Sequence, residues 1–302
     1  MAERTGRSDR NHDDAVPRLA VLKTYKLFVG GKFPRSESGR VYEVTDARSG
    51  AWLANAPRGT RKDVRDAVAA ARAAFPGWSA ATAYNRGQVL YRVAELLQGR
   101  REQFADEVAA AEGLSARRAA AQVDAAVDRW VWYAGWTDKL AQVAGAANPV
   151  AGPYFNLSTP EPVGVAGVVA PQTGAGRSLL GLVSVLAPVL ATGSTAVVLA
   201  AEDAPLPALS LGEVLATSDV PGGVVNLLSG PVAAMAPVLA GHADVDALGL
   251  PGPDAELEAE AASNLKRVHR GAGPAEDWTS PPSIDRLLAF TETKTVWHPT
   301  GH

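Results

Sequence analysis

The chain has no cysteine in its 302 residues. That excludes disulfides, thiolate metal sites and a cysteine nucleophile together. It fits a protein kept in a reducing compartment, so a cytoplasmic location is expected. The five histidines are scattered and none falls at metal-ligand spacing, so no metal is expected. No uninterrupted apolar run is long enough to span a membrane. The longest, 179–201, is broken by Pro188, Gly193 and Ser194 and reads as a buried helix followed by a strand. Positive charge is not in excess either: the net charge is -3, and nothing favours nucleic acid. The opening "MAERTGRSDRNHDDAVPR" has no apolar centre, so a signal peptide is not expected. Residues 1–22 are expected to form a disordered tail.

Hydrophobic residues make up 47% of the chain and charged residues 20%, enough apolar material for a sizeable core. "KLFVGGKF" alternates around a Gly-Gly turn and "RVYEV" returns, which predicts a hairpin over 25–44. Thr60, with Asp63 in the first turn, opens a helix that is expected to end near Phe75-Pro76-Gly77. Helical periodicity continues over 85–97, 101–112 and 115–140. Trp130, Trp132, Tyr133 and Trp136 cluster in the last of these and read as a packing face.

From Tyr154 the character changes. "YFNLSTPEPVGVAGVVA" reads as two strand segments joined at Pro160 and Pro162. Helices over 177–190, 206–216, 232–240 and 256–264 then alternate with strands over 194–199, 223–228 and 245–250. This rhythm predicts an α/β fold with a Rossmann-like parallel sheet, whose ligands sit beyond the carboxyl ends of the strands. The loop in "VVAPQTGAGRSLL" lies at such an end and resembles a phosphate-binding P-loop. It departs from that pattern at two positions: Pro171 replaces the first glycine and Arg177 the lysine. Residues 271–285, rich in Gly, Pro and acids, read as a linker, and 286–302 as a terminal strand segment.

Several stretches resemble aldehyde dehydrogenases, in the family's order. They are "YKLFVGGKFPRSESGRVYEV", "FPGWSA", "RGQVLYRVAELL", "EPVGVAGVVAP", "APVLATGSTAVVLAAEDAPLPAL", "DVPGGVVNLLSG", "HADVDAL", "SNLKRV" and, last, "FTETKTVW". The phrase "SDVPGGVVNLLSG" is most similar to the branch with tandem, partly degenerate domains. The resemblance implies a cofactor domain over 23–270. It also implies a small β-flap for oligomerisation, built from 154–160 and the terminal strand, with the catalytic domain between them missing.

Carried over position by position, the resemblance implies lost chemistry. The Asn that helps hold the oxyanion falls on Thr173, and the general-base glutamate falls on Gly271. The lysine at the adenosine ribose falls on Leu199. The glutamate near that ribose is kept as Glu202, and a cofactor-loop glycine as Gly230. The Gly-Ser-Thr that opens the next helix becomes Gly252-Pro253-Asp254, which removes an N–H and adds a negative charge where pyrophosphate would lie.

No cofactor is therefore expected to bind tightly, and NAD at most weakly. The expected function is a non-catalytic subunit that joins a full-length aldehyde dehydrogenase by strand addition from the flap. The flap contacts would come from Tyr154, Asn156, Ser158, Thr291, Thr293, Thr295 and Trp297. Two alternatives stand beside it: an NAD-binding component of an active dehydrogenase complex, and a P-loop-like nucleotide-binding protein.

Overall fold

A computed structural model describes residues 21–301. The expected tail lies outside them except for its last two residues. In chain order the elements begin with β1 (Val41–Thr45), β2 (Trp52–Pro57), α1 (Arg61–Ala80), α2 (Ala83–Gly99), α3 (Arg101–Glu112), α4 (Ala116–Ala134) and α5 (Leu140–Ala144). There follow β3 (Ala146–Asn148), β4 (Tyr154–Pro162), β5 (Val165–Val169), α6 (Leu180–Thr192), β6 (Thr195–Leu199), α7 (Leu206–Thr217) and β7 (Val225–Leu228). Last come α8 (Val232–Gly241), β8 (Ala247–Leu250), α9 (Ala255–Ala262), β9 (Arg267–Arg270), α10 (Asp285–Leu288) and β10 (Thr291–Pro299).

The central sheet is parallel, with strand order β7-β6-β5-β8-β9. Its inner strands are apolar along their whole length because helices cover both faces, and every residue of β5, β6, β7 and β8 is buried. Gly167 lets α8 close on β5: a Cβ there would meet Leu239 Cγ at 2.7 Å. The helix α6 is buried on all sides, so it has no polar face to betray its period. Each fully buried Leu or Val there contributes about 1.5–3 kcal/mol. The order reverses at β5, and this creates a crevice between the ends of β5 and β8.

Several elements differ from expectation. The hairpin over 25–44 divides. Val29 and Lys32 pair across the Gly30-Gly31 turn, but Phe28 exchanges backbone bonds with Leu227 at the sheet edge. The return segment, β1, pairs instead with β2. The helix α1 runs through Pro76 to Ala80, held to the core by the Trp78 indole donating to the Leu190 carbonyl at 3.1 Å. The long helix over 115–140 breaks after Ala134, and a turn leads into α5. The strands β2, β3 and β9 and the short α10 are too short or too mixed to show a period.

Residues 271–285, read above as a linker, carry their own contacts. Trp278 is buried against the core near Gly181, and Arg129 donates to the Trp278 and Ser280 carbonyls at 2.7 and 3.0 Å. Leu287 and Phe290 are also buried, so the chain returns to β10 through the core.

The flap is a separate antiparallel sheet in the order β10-β4-β3. Its strand β10 pairs with β4 from Thr291↔Pro162 to Pro299↔Tyr154.

Candidate functional site

The crevice at the ends of β5 and β8 forms a cleft of about 270 Å³, lined by Pro171, Thr173, Val232, Pro253, Asp254 and Leu257 among others. It is the place where this topology holds ligands. Thr173 is exposed on its rim. The neighbouring Gln172 spans two strand ends: its amide donates to the Ala170 carbonyl at 2.7 Å and accepts the Glu202 N–H at 3.1 Å.

The residues that the family resemblance puts near a dinucleotide have partners within the chain. Leu199 is fully buried at the end of β6, in the core cluster with Val197 and Leu228. The carboxylate of Glu202 accepts the Val232 N–H at 3.1 Å and so caps the start of α8. The half-buried Tyr42 hydroxyl donates to the Glu202 carbonyl at 3.0 Å. Burial first, and the Glu202 charge next, raise the Tyr42 pKa, so this donor keeps its proton.

Gly230 has φ +125, and a Cβ there would lie 2.7 Å from the Gly59 backbone nitrogen. The Gly59 N–H in turn donates to the Ser229 carbonyl at 2.8 Å. Close backbone packing thus demands glycine at 230 whether or not a ligand is near.

At the start of α9 two backbone donors are taken by carboxylates. The Asp254 carboxylate accepts the Leu257 N–H at 3.1 Å, and the Asp254 N–H donates to Glu258 at 3.3 Å. Glu258 is itself clamped by Arg270 at 2.7 and 2.5 Å. A helix start that carries three carboxylates, Asp254, Glu256 and Glu258, repels pyrophosphate, and Pro253 offers it no N–H. These residues do not fit a dinucleotide's phosphates. Gly271 closes β9 against Pro251: a Cβ would lie 2.5 Å from the Pro251 oxygen, so no larger side chain fits at this position.

The loop that resembles a P-loop holds an anion of its own. Glu112 accepts the Gly176 N–H at 2.7 Å, the Ser178 N–H at 2.9 Å and the Ser178 hydroxyl at 2.6 Å. Gly174 and Gly176 adopt φ +84 and +86 to aim the loop inward. Arg177 turns away to a two-pronged ion pair with Asp203 at 3.2 and 2.9 Å. These contacts hold 173–179 as turns, so α6 starts at Leu180 and the helix expected from residue 177 is shortened. Sequence reading missed Glu112, which sits at the end of α3 with no local signal.

The flap brings its expected contact residues onto one face. The register puts Tyr154, Asn156 and Ser158 opposite Pro299, Trp297 and Thr295, with Pro160 opposite Thr293 and Pro162 opposite Thr291. A polar chain crosses this face: the Asn148 amide donates to Asn156 at 2.6 Å and Ser158 at 2.8 Å, and Ser158 meets Thr295 at 2.8 Å. Asn156 is buried under it, and Tyr154 meets Trp297 edge to face at 5.8 Å. The other face carries Phe155, Leu157 and Val296. They are 50%, 37% and 47% exposed. Among the described residues no group of acidic and histidine side chains is arranged to hold a metal, and no helix is long and apolar enough to cross a membrane.

Comparison with known proteins agrees with this architecture. The aldehyde dehydrogenase family profile matches residues 33–275. The cytosolic 10-formyltetrahydrofolate dehydrogenase of Mus musculus is 33% identical over 271 residues, 85% of this chain and 29% of that protein. The mitochondrial benzaldehyde dehydrogenase of Antirrhinum majus is 34% identical, over 80% of this chain and 46% of that one. An aldehyde dehydrogenase from Bacillus cereus, solved with NAD+, superposes with a TM-score of 0.77 at 28% identity, covering 82% of this chain and 50% of its own. The chain thus spans half or less of the length of these relatives. A parallel sheet with this strand order, and sequence identity spread over most of the chain, make it a member of the aldehyde dehydrogenase family.

Proposed function

We propose that this chain is a non-catalytic member of its family, one that joins a full-length aldehyde dehydrogenase through its flap and supports or regulates it. The observation that carries the reading is the edge of β10. This strand pairs with β4 along nine residues but stands last in its sheet, with Val296 and Trp297 exposed beside it. An exposed edge with apolar side chains is a template for further pairing. A partner that offers a sheet edge adds to it through backbone hydrogen bonds, while side chains such as Trp297 give specificity.

The chemistry is consistent with a supporting role. Covalent acyl transfer needs an activated nucleophile, and this chain has no cysteine. Thr173 and Gly271 stand where the family resemblance puts the oxyanion donor and the base. Weak NAD binding at most follows from Asp254 and Glu258 at the start of α9 and from the buried Leu199.

Co-expression of the tagged chain with each full-length aldehyde dehydrogenase of its cell, followed by pull-down, tests the assembly. The intact chain should bring one down. A chain ending at Phe290 keeps the buried Leu287 and Phe290 but lacks β10, and it should fold and come down alone. A stable monomer in the presence of every such dehydrogenase, or a truncated chain that still retains its partner, refutes the reading.

A further inference from the structure

A groove of about 370 Å³ lies between β2 and residues 22–26. Trp52 and Pro57, the first and last residues of the strand, both line it, so it follows the strand for about 17 Å. Its volume falls in the range of about 300–1,000 Å³ typical of sites for small molecules.

The charge in this groove runs against that of the whole chain. The net charge is -3, yet the lining carries Lys23, Lys26, Arg35 and Arg40 and, among the described residues, no acid. Backbone bonds gather three of these cations at the Pro57 end. The Leu27 N–H donates to the Pro34 carbonyl at 3.1 Å, which sets Lys26 beside Arg35. The Ser36 hydroxyl donates to the Arg58 carbonyl at 2.6 Å, and the Arg58 N–H donates to the Arg40 carbonyl at 2.9 Å. Residues 35, 36 and 40 are thereby tied to the end of β2. Among the described residues the side chains of Lys26, Arg35 and Arg40 make no ion pair, and Arg35 and Arg40 are exposed. Like charges held together repel, and an anion between them relieves that cost. Asp63 does not serve: it is buried and already accepts the Ser36 hydroxyl at 3.0 Å and the Glu37 and Thr60 N–H groups at 3.0 and 2.8 Å. Glu37 and Glu43 stand outside the lining.

The other end differs. Lys23, three residues back along the chain, is paired with Glu213 at 3.0 Å and Glu107 at 3.7 Å. Trp52, at the far end of β2, is 45% exposed and offers an aromatic face. The groove thus joins a cluster of free cations to a flat apolar surface. An acidic peptide would carry charge along its whole length, which only one end matches. We propose that this groove binds a nucleoside triphosphate, with the phosphates among Lys26, Arg35 and Arg40 and the base stacked on Trp52. The site is separate from the cleft at the sheet end and from the turn that Glu112 fills, and the inference is independent of the assembly proposed above.

Calorimetric titration of the full chain with magnesium-free ATP, tripolyphosphate, adenosine and a hexa-aspartate peptide tests it. ATP should bind saturably, and its affinity should fall as salt is added. Tripolyphosphate, which lacks the base, should bind at least fivefold more weakly, and adenosine and the peptide more weakly still. Arg35→Gln and Arg40→Gln combined in one chain should weaken ATP about tenfold, as the loss of two exposed charge contacts does. Trp52→Ala should weaken ATP at least fivefold and leave tripolyphosphate unchanged. All three side chains are exposed, so both variants should melt like the unaltered chain. Absence of saturable ATP binding by the unaltered chain overturns the proposal. So does unchanged ATP affinity in either variant, which would place the nucleotide elsewhere, or tripolyphosphate or hexa-aspartate binding as tightly as ATP.

Discussion

Glu112 and Ser178, on different elements, form a closed pair: the carboxylate accepts both the backbone N–H and the hydroxyl of the serine, at 2.9 and 2.6 Å. With the Gly176 N–H as third donor, one acidic side chain fills the turn that would otherwise cradle a phosphate. The loop has the shape of an anion grip because it grips an anion of its own chain.

That arrangement sets a stability expectation. Glu112→Ala leaves the Gly176 and Ser178 donors without their acceptor and should cost roughly 2–4 kcal/mol, the usual range for losing a charged, partly buried hydrogen-bond centre. Urea unfolding should show a lower midpoint at unchanged slope. A midpoint within error of the unaltered chain would show that the contact is dispensable.

Gly230→Ala separates a structural glycine from a ligand-binding one. The backbone at φ +125 and the Gly59 nitrogen 2.7 Å from a would-be Cβ leave no room for a methyl group. The variant should lose about 2–3 kcal/mol of stability through strain, with no dinucleotide in the buffer. An unaffected variant would count against the packing account.

For the cleft, the expectation is weak binding and no turnover. NAD affinity by calorimetry should be weaker than about 1 mM. Assays with NAD or NADP and a panel of aldehydes should stay at background. Micromolar NAD affinity, or turnover that survives repurification, would overturn the reading of Leu199, Asp254, Thr173 and Gly271.

His269 gives a pH dependence with a definite sign. Burial, and next the charge of Arg286, hold its imidazole below the ordinary value of 6.5. Below about pH 6.5 the unfolded chain therefore takes up a proton that the folded chain refuses, and stability falls as pH drops towards the folded pKa. Melting temperature should decrease between pH 7.5 and 5.5, and less steeply for His269→Phe. Glu107, whose pKa burial raises, acts with the opposite sign but equally in both proteins, so the difference between the two curves isolates His269. Parallel curves would remove His269 from the account.

Much of the architecture could be read from residue order because it depends on local pattern. Runs such as "VAGVV" and "TAVVL" are apolar throughout, as strands covered on both faces must be, and turns with Gly or Pro separate them from helices. The reciprocal cap of Thr60 and Asp63 spans three residues and shows in the sequence at once. The terminal flap strand carries Thr at alternate positions, 291, 293 and 295, and its existence was legible even where its partner was not.

What stayed hidden depends on contacts between distant parts of the chain. Glu112 meets Ser178 across 66 positions, Ser158 meets Thr295 across 137, and Arg129 meets the Trp278 carbonyl across 149. A carboxylate that fills a loop and one that sits in water look alike in a sequence, as do a paired and an unpaired arginine. Hydrogen-bond satisfaction and charge neutralisation are properties of a place in space. Local periodicity therefore announces the sheet and its helices, while the Glu112-filled turn at 176–178 and the contact of Arg129 with the Trp278 carbonyl arise only when the folded chain brings their partners together.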